Sequence, residues 1–182
     1  MKTTVQILKQ YWGYETFRPQ QEAVIDAVLT GKDVLTLLPT GAGKSLCFQV
    51  PTITNGGVCV VISPLIALMQ DQVKDLLDKN ISAVNLGGQI TPDAEDIILS
   101  DAKKGKYQFI YCSPEKLAQT NFQNFLSQIT IQLFAIDEAH CVSQWGHDFR
   151  TEYSQLSVLR DIKPCLENLT LKLLPVSSSI NW

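Results

Sequence analysis

Features that often reveal a protein's class are missing from this sequence of 182 residues. No apolar run reaches the length of a membrane span, and the first residues lack the apolar stretch of a secretory signal. The five cysteines are scattered and show no C-x-x-C spacing, so neither a disulfide framework nor a zinc site is indicated. Together these features predict a reducing compartment, either a bacterial cytoplasm or a nucleus.

The sequence also lacks an excess of basic residues. Its formal net charge of −3 gives no electrostatic argument for nucleic-acid binding. Any contact with DNA must therefore depend on local groups such as Lys74, Arg150 and backbone N–H donors. What the sequence does have is a hydrophobic content of 45%, enough for one sizeable core and at most one full domain with appendages.

The most informative motif is a glycine-rich turn between two regular segments. Residues 34–38 predict a buried strand, and residues 46–50 predict the start of a helix. The turn between them consists of Thr40, Gly41, Ala42, Gly43, Lys44 and Ser45. Backbone N–H groups of such a turn can surround the phosphates of a nucleotide at the positive end of the helix. The motif therefore predicts binding of ATP or GTP.

Each residue type in this turn has a physical role. Gly41 and Gly43 are expected to adopt positive φ, which lets the backbone approach a ligand closely. Lys44 would reach the β- and γ-phosphates, and the Ser45 hydroxyl would bind Mg²⁺. The strict G-x-x-x-x-G-K-[ST] pattern fails at its first position, Leu38. The shorter form that remains is typical of helicases rather than of small GTPases or kinases.

A second, acidic motif follows the strand predicted at residues 131–136. Asp137 and Glu138 come at the carboxyl end of that strand, where an open α/β sheet places its ligands. Asp137 would hold Mg²⁺ through its water shell, and Glu138 would orient or deprotonate the water that attacks the γ-phosphate. Asp-Glu-Ala-His alone is a weak match. Combined with the glycine-rich turn, at a separation that suits several βα units, it predicts a nucleoside triphosphatase.

Apolar runs and helical segments alternate along the chain. Strands are predicted near residues 33–38, 58–63, 82–86, 107–112 and 131–136, with helices near 45–53, 64–79, 92–104 and 114–127. This alternation predicts an α/β fold, a mainly parallel sheet with helices on both faces. Ser63 and Ser113 each precede a proline, so both are expected to cap helices.

Four segments match known motifs in order: residues 14–21, 63–73, 111–117 and the aromatic-rich stretch 141–150 after the acidic motif. Taken together they resemble the RecQ family of superfamily 2 DNA helicases, from about residue 5 to about residue 163. The resemblance implies that residues 1–164 form the first RecA-like motor domain of such an enzyme, with a P-loop NTPase fold. It also implies ATP and Mg²⁺ as cofactors, DNA as partner and 3′-to-5′ unwinding in recombination and repair.

The resemblance further implies roles for individual side chains. Tyr14, Arg18 and Gln21 would recognise adenine, and the amide of Gln21 suits the N6 and N7 edge of that base. Ser63 and Ser113 would head turns that meet the DNA backbone. The residues that would sense single-stranded DNA and couple it to ATP hydrolysis are His140, Ser143, Gln144, Trp145, His147, Asp148, Phe149 and Arg150.

The two aromatic residues of that stretch, Trp145 and Phe149, lie four residues apart. Both could therefore face one side and stack on bases, with Arg150 supplying positive charge. A place in the hydrophobic core is the alternative, which the surrounding polar residues make less favourable.

The resemblance ends near residue 164. A strand and a Thr-Ala-Thr or Ser-Ala-Thr motif III are expected next, but residues 165–182 are a divergent tail in which 169–174 could supply the strand and 177–179 a loose substitute for the motif. A second RecA-like domain and the zinc-binding and winged-helix regions have no counterpart. The 182 residues alone are thus expected to bind ATP and DNA with little hydrolysis and no unwinding, since the transition-state arginine comes from the second lobe.

Two other functions stay open at this point. The chain could be a non-catalytic module that binds ATP or single-stranded DNA and competes with a full-length helicase. Nucleotide binding without DNA-stimulated turnover would identify it. An unrelated P-loop enzyme such as a small-molecule kinase is the second alternative. It would need an acceptor-binding lid that the sequence does not show, and the acidic motif, the adenine-reading segment and the aromatic stretch argue against it.

Overall fold

A computed structural model describes residues 2–39 and 41–137, Leu159 and the backbone of Thr170–Pro175. Its helices are α1 (Thr4–Trp12), α2 (Pro19–Leu29), α3 (Leu46–Asn55), α4 (Ile66–Asp78), α5 (Pro92–Lys103), α6 (Pro114–Leu117) and α7 (Thr120–Ser127). Its strands are β1 (Val34–Leu38), β2 (Val58–Ile62), β3 (Ala83–Asn85), β4 (Phe109–Cys112), β5 (Ile131–Ile136) and β6 (Thr170–Pro175).

The strands form one parallel sheet in the order β1-β6-β5-β2-β4-β3. The α/β fold with a parallel sheet is therefore confirmed, and the five strands predicted with it are all present. The hypothesis of a strand near residues 169–174 is confirmed as well. β6 lies between β1 and β5, with Thr36 opposite Leu173 on one side and Ala135 opposite Leu171 on the other.

Alternation along β2 shows how the sheet is covered on both faces. Cys59 and Val61 pack in one apolar cluster with residues of α3 and α4. Val58, Val60 and Ile62 pack in a second cluster with residues of α5, α6 and α7. Successive side chains of a strand point to opposite faces, so a strand that is apolar at every position needs cover on both.

Two helices precede the first strand and lie beside the helix that follows the glycine-rich turn. They form a third cluster with α3, made of Ile7, Leu8, Ile25, Leu46 and Val50. A capping box at Thr3 and Gln6 starts α1, and Pro19 occupies the first turn of α2. This packing fixes the segment around residue 18 next to the turn. Across the described ranges, no helix has both the length and the apolar character needed to cross a bilayer.

The structure corrects two details of the predicted helices. Ser63 does not cap α4, because the backbone is still extended at Leu65 and the helix begins at Ile66. Leu65 takes the N-cap position instead, and its N–H donates to the Ser63 hydroxyl at 3.4 Å. Ser113 does cap α6, accepting from the Lys116 N–H at 3.3 Å. The single helix predicted at 114–127 is two helices, because the backbone is extended at Gln119.

Candidate nucleotide site

The loop between β1 and α3 has the backbone expected of a phosphate-binding turn. Gly41 has φ 77° and Gly43 has φ 71°, as the glycine spacing predicts. The Ala42 N–H donates to the Pro39 carbonyl at 3.1 Å, which closes the turn. Ser45 stands at the N-cap of α3, yet its hydroxyl makes no capping hydrogen bond. Lys44 is half-buried beside it, and Thr40 lies outside the described residues.

Side chains at the start of α2 hold this loop from behind. The Arg18 guanidinium donates from Nη1 to the Gly41 carbonyl at 3.2 Å. Gln21 is only 4% exposed and donates from Nε2 to the carbonyls of Ala42 at 2.8 Å and Gly43 at 3.2 Å. Its Oε1 accepts from the Arg18 N–H at 3.0 Å. Both ends of the Gln21 amide are thus engaged within the protein.

Of the residues expected to recognise adenine, Tyr14 and Arg18 are exposed and Gln21 is buried. The 58% exposure of Tyr14 leaves its ring accessible to a planar ligand. Adenine recognition by these three residues stays a prediction. What the structure adds is that Arg18 and Gln21 connect residues 14–21 to the glycine-rich loop.

Asp137 lies immediately after β5 and is 3% exposed. Its backbone N–H donates to the Ile62 carbonyl at 2.9 Å, and its Oδ2 accepts from Gln72 Nε2 at 3.1 Å. Because β1 and β5 both pair in parallel with β6, the two strands run about 10 Å apart and their carboxyl ends point to the same end of the sheet. The fold therefore brings the glycine-rich loop and Asp137 to the same end. Glu138 lies outside the described residues.

A chain of polar side chains continues from Asp137 through the half-buried Gln72 into the core. The Tyr111 hydroxyl donates to Gln72 Oε1 at 3.0 Å, and Gln49 of α3 hydrogen-bonds the same phenol. Burial raises the pKa of Tyr111 above its usual value, which the Gln49 hydrogen bond opposes only in part. The phenol therefore stays protonated and remains a donor.

Sequence reasoning missed Gln49 and the link from Gln72 to Tyr111. One signal was present: Gln72 lies three residues after Met69 and four before Leu76, so an amide interrupts the core-facing stripe of α4. An amide on the core-facing side of a helix requires hydrogen-bond partners, which that spacing alone does not identify.

The residues expected to contact DNA are only partly described. Ser63 directly follows β2 and is 1% exposed, so its hydroxyl is not on the surface. Ser113 is half-buried and borders a cleft of about 390 Å³ between the β3–α5 connection and α6. An ion pair between Lys116 and Glu95 at 2.5 Å crosses this cleft. His140, Ser143, Gln144, Trp145, His147, Asp148, Phe149 and Arg150 lie outside the described residues.

A parallel sheet with a glycine-rich loop and helix after one strand and a buried aspartate after a nearby strand defines a P-loop NTPase domain. A family profile described as "DEAD/DEAH box helicase" matches residues 18–174. The chain belongs to this family of enzymes.

Curated relatives extend the match to RecQ-type helicases, as the resemblance implies. The chain is 45% identical over 163 residues to the ATP-dependent DNA helicase RecQ of Pasteurella multocida, covering 90% of this chain and 26% of that protein. It is 42% identical over 170 residues to the ATP-dependent DNA helicase Q-like 4B of Arabidopsis thaliana, covering 90% of this chain and 15% of that protein. The chain thus spans between 15% and 31% of the length of such relatives.

Solved structures agree on the fold. A crystal structure of the DUF1998 helicase MrfA bound to DNA and AMPPNP superposes with a TM-score of 0.74 at 18% identity. The superposition covers 98% of this chain and 27% of that one. At this identity the likeness shows a shared helicase-type fold.

Proposed function

We propose that this chain is the first RecA-like motor lobe of a RecQ-type, ATP-dependent 3′-to-5′ DNA helicase that acts in recombination and repair. ATP with Mg²⁺ would bind between the glycine-rich loop and Asp137. The observation that carries the proposal is the pair of positive-φ glycines after β1. They lie at the same end of the parallel sheet as Asp137, which follows β5. Family membership and the RecQ-type relatives support the same function.

The residues present fit a magnesium nucleotide. The Ser45 hydroxyl makes no capping bond at the head of α3, and the Asp137 carboxylate lies across β6 from it. Hydroxyl and carboxylate oxygens are hard ligands of the kind that Mg²⁺ takes. When bound, the ion would neutralise charge on the β- and γ-phosphates. Ser45 would bind the ion directly and Asp137 through water.

The other side chains of the site would bind and orient the substrate. The ammonium of Lys44 would contact the β- and γ-phosphates, where backbone N–H groups of the loop add donors. Glu138 would accept a proton from, or orient, the attacking water. Tyr14 and Arg18 would stack on the adenine. If Gln21 also reads the base, it has to release at least one P-loop carbonyl, because its amide already binds Ala42, Gly43 and Arg18.

Single-stranded DNA would cross the same end of the sheet. Ser113 and the cleft beside it lie at the carboxyl end of β4, and Ser63 directly follows β2. Ser63 would need a backbone change to present its buried hydroxyl, whereas Ser113 would not. The residues from His140 to Arg150 would sense the strand, with Trp145 and Phe149 stacking on bases.

The test of nucleotide binding is a titration of the purified chain with a fluorescent ATP analogue. Lys44→Ala is expected to weaken binding roughly 10- to 100-fold, as loss of a hydrogen bond to a charged group predicts. Lys32→Ala, which removes an exposed lysine from the turn before β1, is the matched control and should bind like the wild type. Wild-type protein that binds no ATP would contradict the proposal.

ATP hydrolysis with and without single-stranded DNA separates the alternatives. For the 182 residues assayed alone we propose slow hydrolysis and no unwinding, because transition-state stabilisation by an arginine from a second lobe supplies several orders of magnitude in rate. DNA-stimulated turnover that disappears in Trp145→Ala would show a coupled motor already within this chain. Phosphoryl transfer to a small-molecule acceptor would favour the kinase.

A further inference from the structure

The proposed function does not explain the polar side chains behind Asp137. Gln72 donates from Nε2 to Asp137 Oδ2, and the Tyr111 hydroxyl donates to Gln72 Oε1. Tyr111 is fully buried, and Asp137 and Gln49 are each 3% exposed. A side chain that hydrogen-bonds a buried carboxylate, and is itself held by another partner, fixes the direction of that carboxylate.

We propose that Gln72 is a positioning residue for Asp137, holding the carboxylate in the orientation that binds the nucleotide's Mg²⁺, and that Tyr111 in turn holds Gln72. The inference rests on the proposed function, because it requires that Asp137 acts on Mg²⁺. It adds a role for α4 and β4 in a site otherwise made by β1, α3 and β5.

The hydrogen-bond network fixes which way the Gln72 amide points. A carboxylate only accepts hydrogen bonds, so the Gln72 group that faces Asp137 Oδ2 is the Nε2 donor. At the other end of the amide, the Tyr111 hydroxyl donates to Gln72 Oε1. The amide nitrogen of Gln72 is thereby left to face Asp137.

An amide is well suited to this place. It donates to one carboxylate oxygen without adding a positive charge, so Asp137 keeps the negative charge that attracts a cation. A lysine or arginine there would form an ion pair and compete with the metal. Four elements converge on the network, because Gln49 lies on α3, Gln72 on α4, Tyr111 on β4 and Asp137 after β5. The Tyr111 phenol thus connects two parts of the site. Gln49 links it to α3, the helix after the P-loop, and Gln72 links it to the carboxylate that would bind the metal.

The experiment measures how nucleotide affinity depends on Mg²⁺. The purified chain is titrated with a fluorescent ATP analogue in EDTA and at a series of free Mg²⁺ concentrations. Gln72→Met, which keeps the length of the side chain and removes the amide, should need roughly 10- to 100-fold more Mg²⁺ for its half-maximal effect. Its affinity in EDTA should equal that of the wild type.

Two further variants sharpen the result. Tyr111→Phe should shift the Mg²⁺ dependence in the same direction by a smaller factor, because Gln72 keeps its bond to Asp137 but loses one anchor. Gln70→Met changes an exposed glutamine two residues earlier on α4 and should match the wild type. If Gln72→Met does not fold by circular dichroism, Tyr111→Phe decides, since it preserves the packed ring.

The possible outcomes separate the two proposals. A Mg²⁺ dependence like that of the wild type in Gln72→Met, or in Tyr111→Phe where that variant decides, overturns the positioning role and leaves the proposed function standing. So does an equal loss of affinity with and without Mg²⁺, which would mark a structural role only. Wild-type protein that binds no nucleotide overturns both.

Discussion

The two strands that carry the candidate site are held in the sheet in different ways. β5 has β2 on one side and β6 on the other, and its residues Leu133 to Ile136 are at most 2% exposed. β1 pairs with β6 alone among the strands that the structure describes, and its Leu35 and Leu37 are 60% and 46% exposed. The Asp137 half of the site thus stands on the centre of the sheet, whereas the P-loop half depends on one neighbouring strand and on α2.

The largest effect is expected from removing that neighbouring strand. Deletion of residues 165–182 takes away β6 and leaves β1 without a strand partner in the described sheet. We expect the free energy of unfolding to fall by more than about 5 kcal/mol, comparable with the stability of a whole domain, and nucleotide binding to disappear. Thermal unfolding and ATP-analogue titration measure the two effects.

A shorter deletion is the matched control for that experiment. Removal of residues 176–182 keeps the whole of β6 and should retain the melting temperature to within a few degrees. If the longer deletion melts and binds nucleotide like the intact chain, β6 does not hold β1 in place and the contrast between the two strands is wrong.

An intermediate effect is expected from two alanine substitutions within the P-loop itself. Gly41 and Gly43 have similar positive φ, so alanine at either position costs about 1–2 kcal/mol in backbone strain. At Gly43 the added Cβ would also lie 2.5 Å from Gln21 Nε2, while at Gly41 it meets nothing within 4 Å. Gly43→Ala should therefore cost about 1–3 kcal/mol more, the range for losing a buried hydrogen bond.

Chemical denaturation of both glycine variants gives this difference directly. It isolates the support that α2 provides through Gln21, because the two substitutions share the strain. Equal losses of stability would mean that Gln21 adjusts freely and that α2 does not hold the loop.

The smallest perturbation is alkylation of the buried cysteines. Its rate compares how readily the P-loop half and the Asp137 half of the site open. Burial raises the pKa of Cys47 on α3 and of Cys112 on β4 to about 12 each. These thiols are therefore neutral in the folded protein at pH 8. Because the thiols of the unfolded chain ionise at lower pH, the free energy of unfolding falls as pH rises from the unfolded pKa toward 12. Alkylation of the native chain should be more than about 100-fold slower than that of the unfolded chain.

Peptide-resolved mass spectrometry at low denaturant then gives the order of opening. Cys47, behind the P-loop, should react before Cys112 and before Cys59 of β2. Labelling of all three thiols at one rate would show that the sheet opens as a unit and that the P-loop half is no weaker.

The parts of the fold that follow from local patterns could be predicted from the sequence. Apolar runs bounded by turns located five strands, and the glycine spacing implied the positive φ of Gly41 and Gly43. Parallel pairing follows from the alternation of strands and helices. The place of β6 between β1 and β5 is a matter of long-range pairing, which the residues of 169–174 do not specify.

In the candidate site too, features set by local sequence could be predicted and those set by long-range contacts could not. Asp137 and Lys44 could be found because each follows a recognisable strand. The partners of Gln21 and Gln72 could not, because each amide bonds to groups that are distant in sequence. Ser63 and Ser113 show the limit of a local rule, since both precede a proline but only Ser113 caps a helix, while α4 begins after an extended Leu65.

The position of β6 also has a consequence for the order in which the protein forms during synthesis. β1 is made early, yet its pairing partner begins only at Thr170, after four other strands have left the ribosome. The sheet of β5, β2, β4 and β3 can assemble first, while β1 and its loop wait for a strand that must insert between them and β5. A nascent chain shorter than 175 residues should therefore be unable to retain nucleotide, however much of its core has already folded.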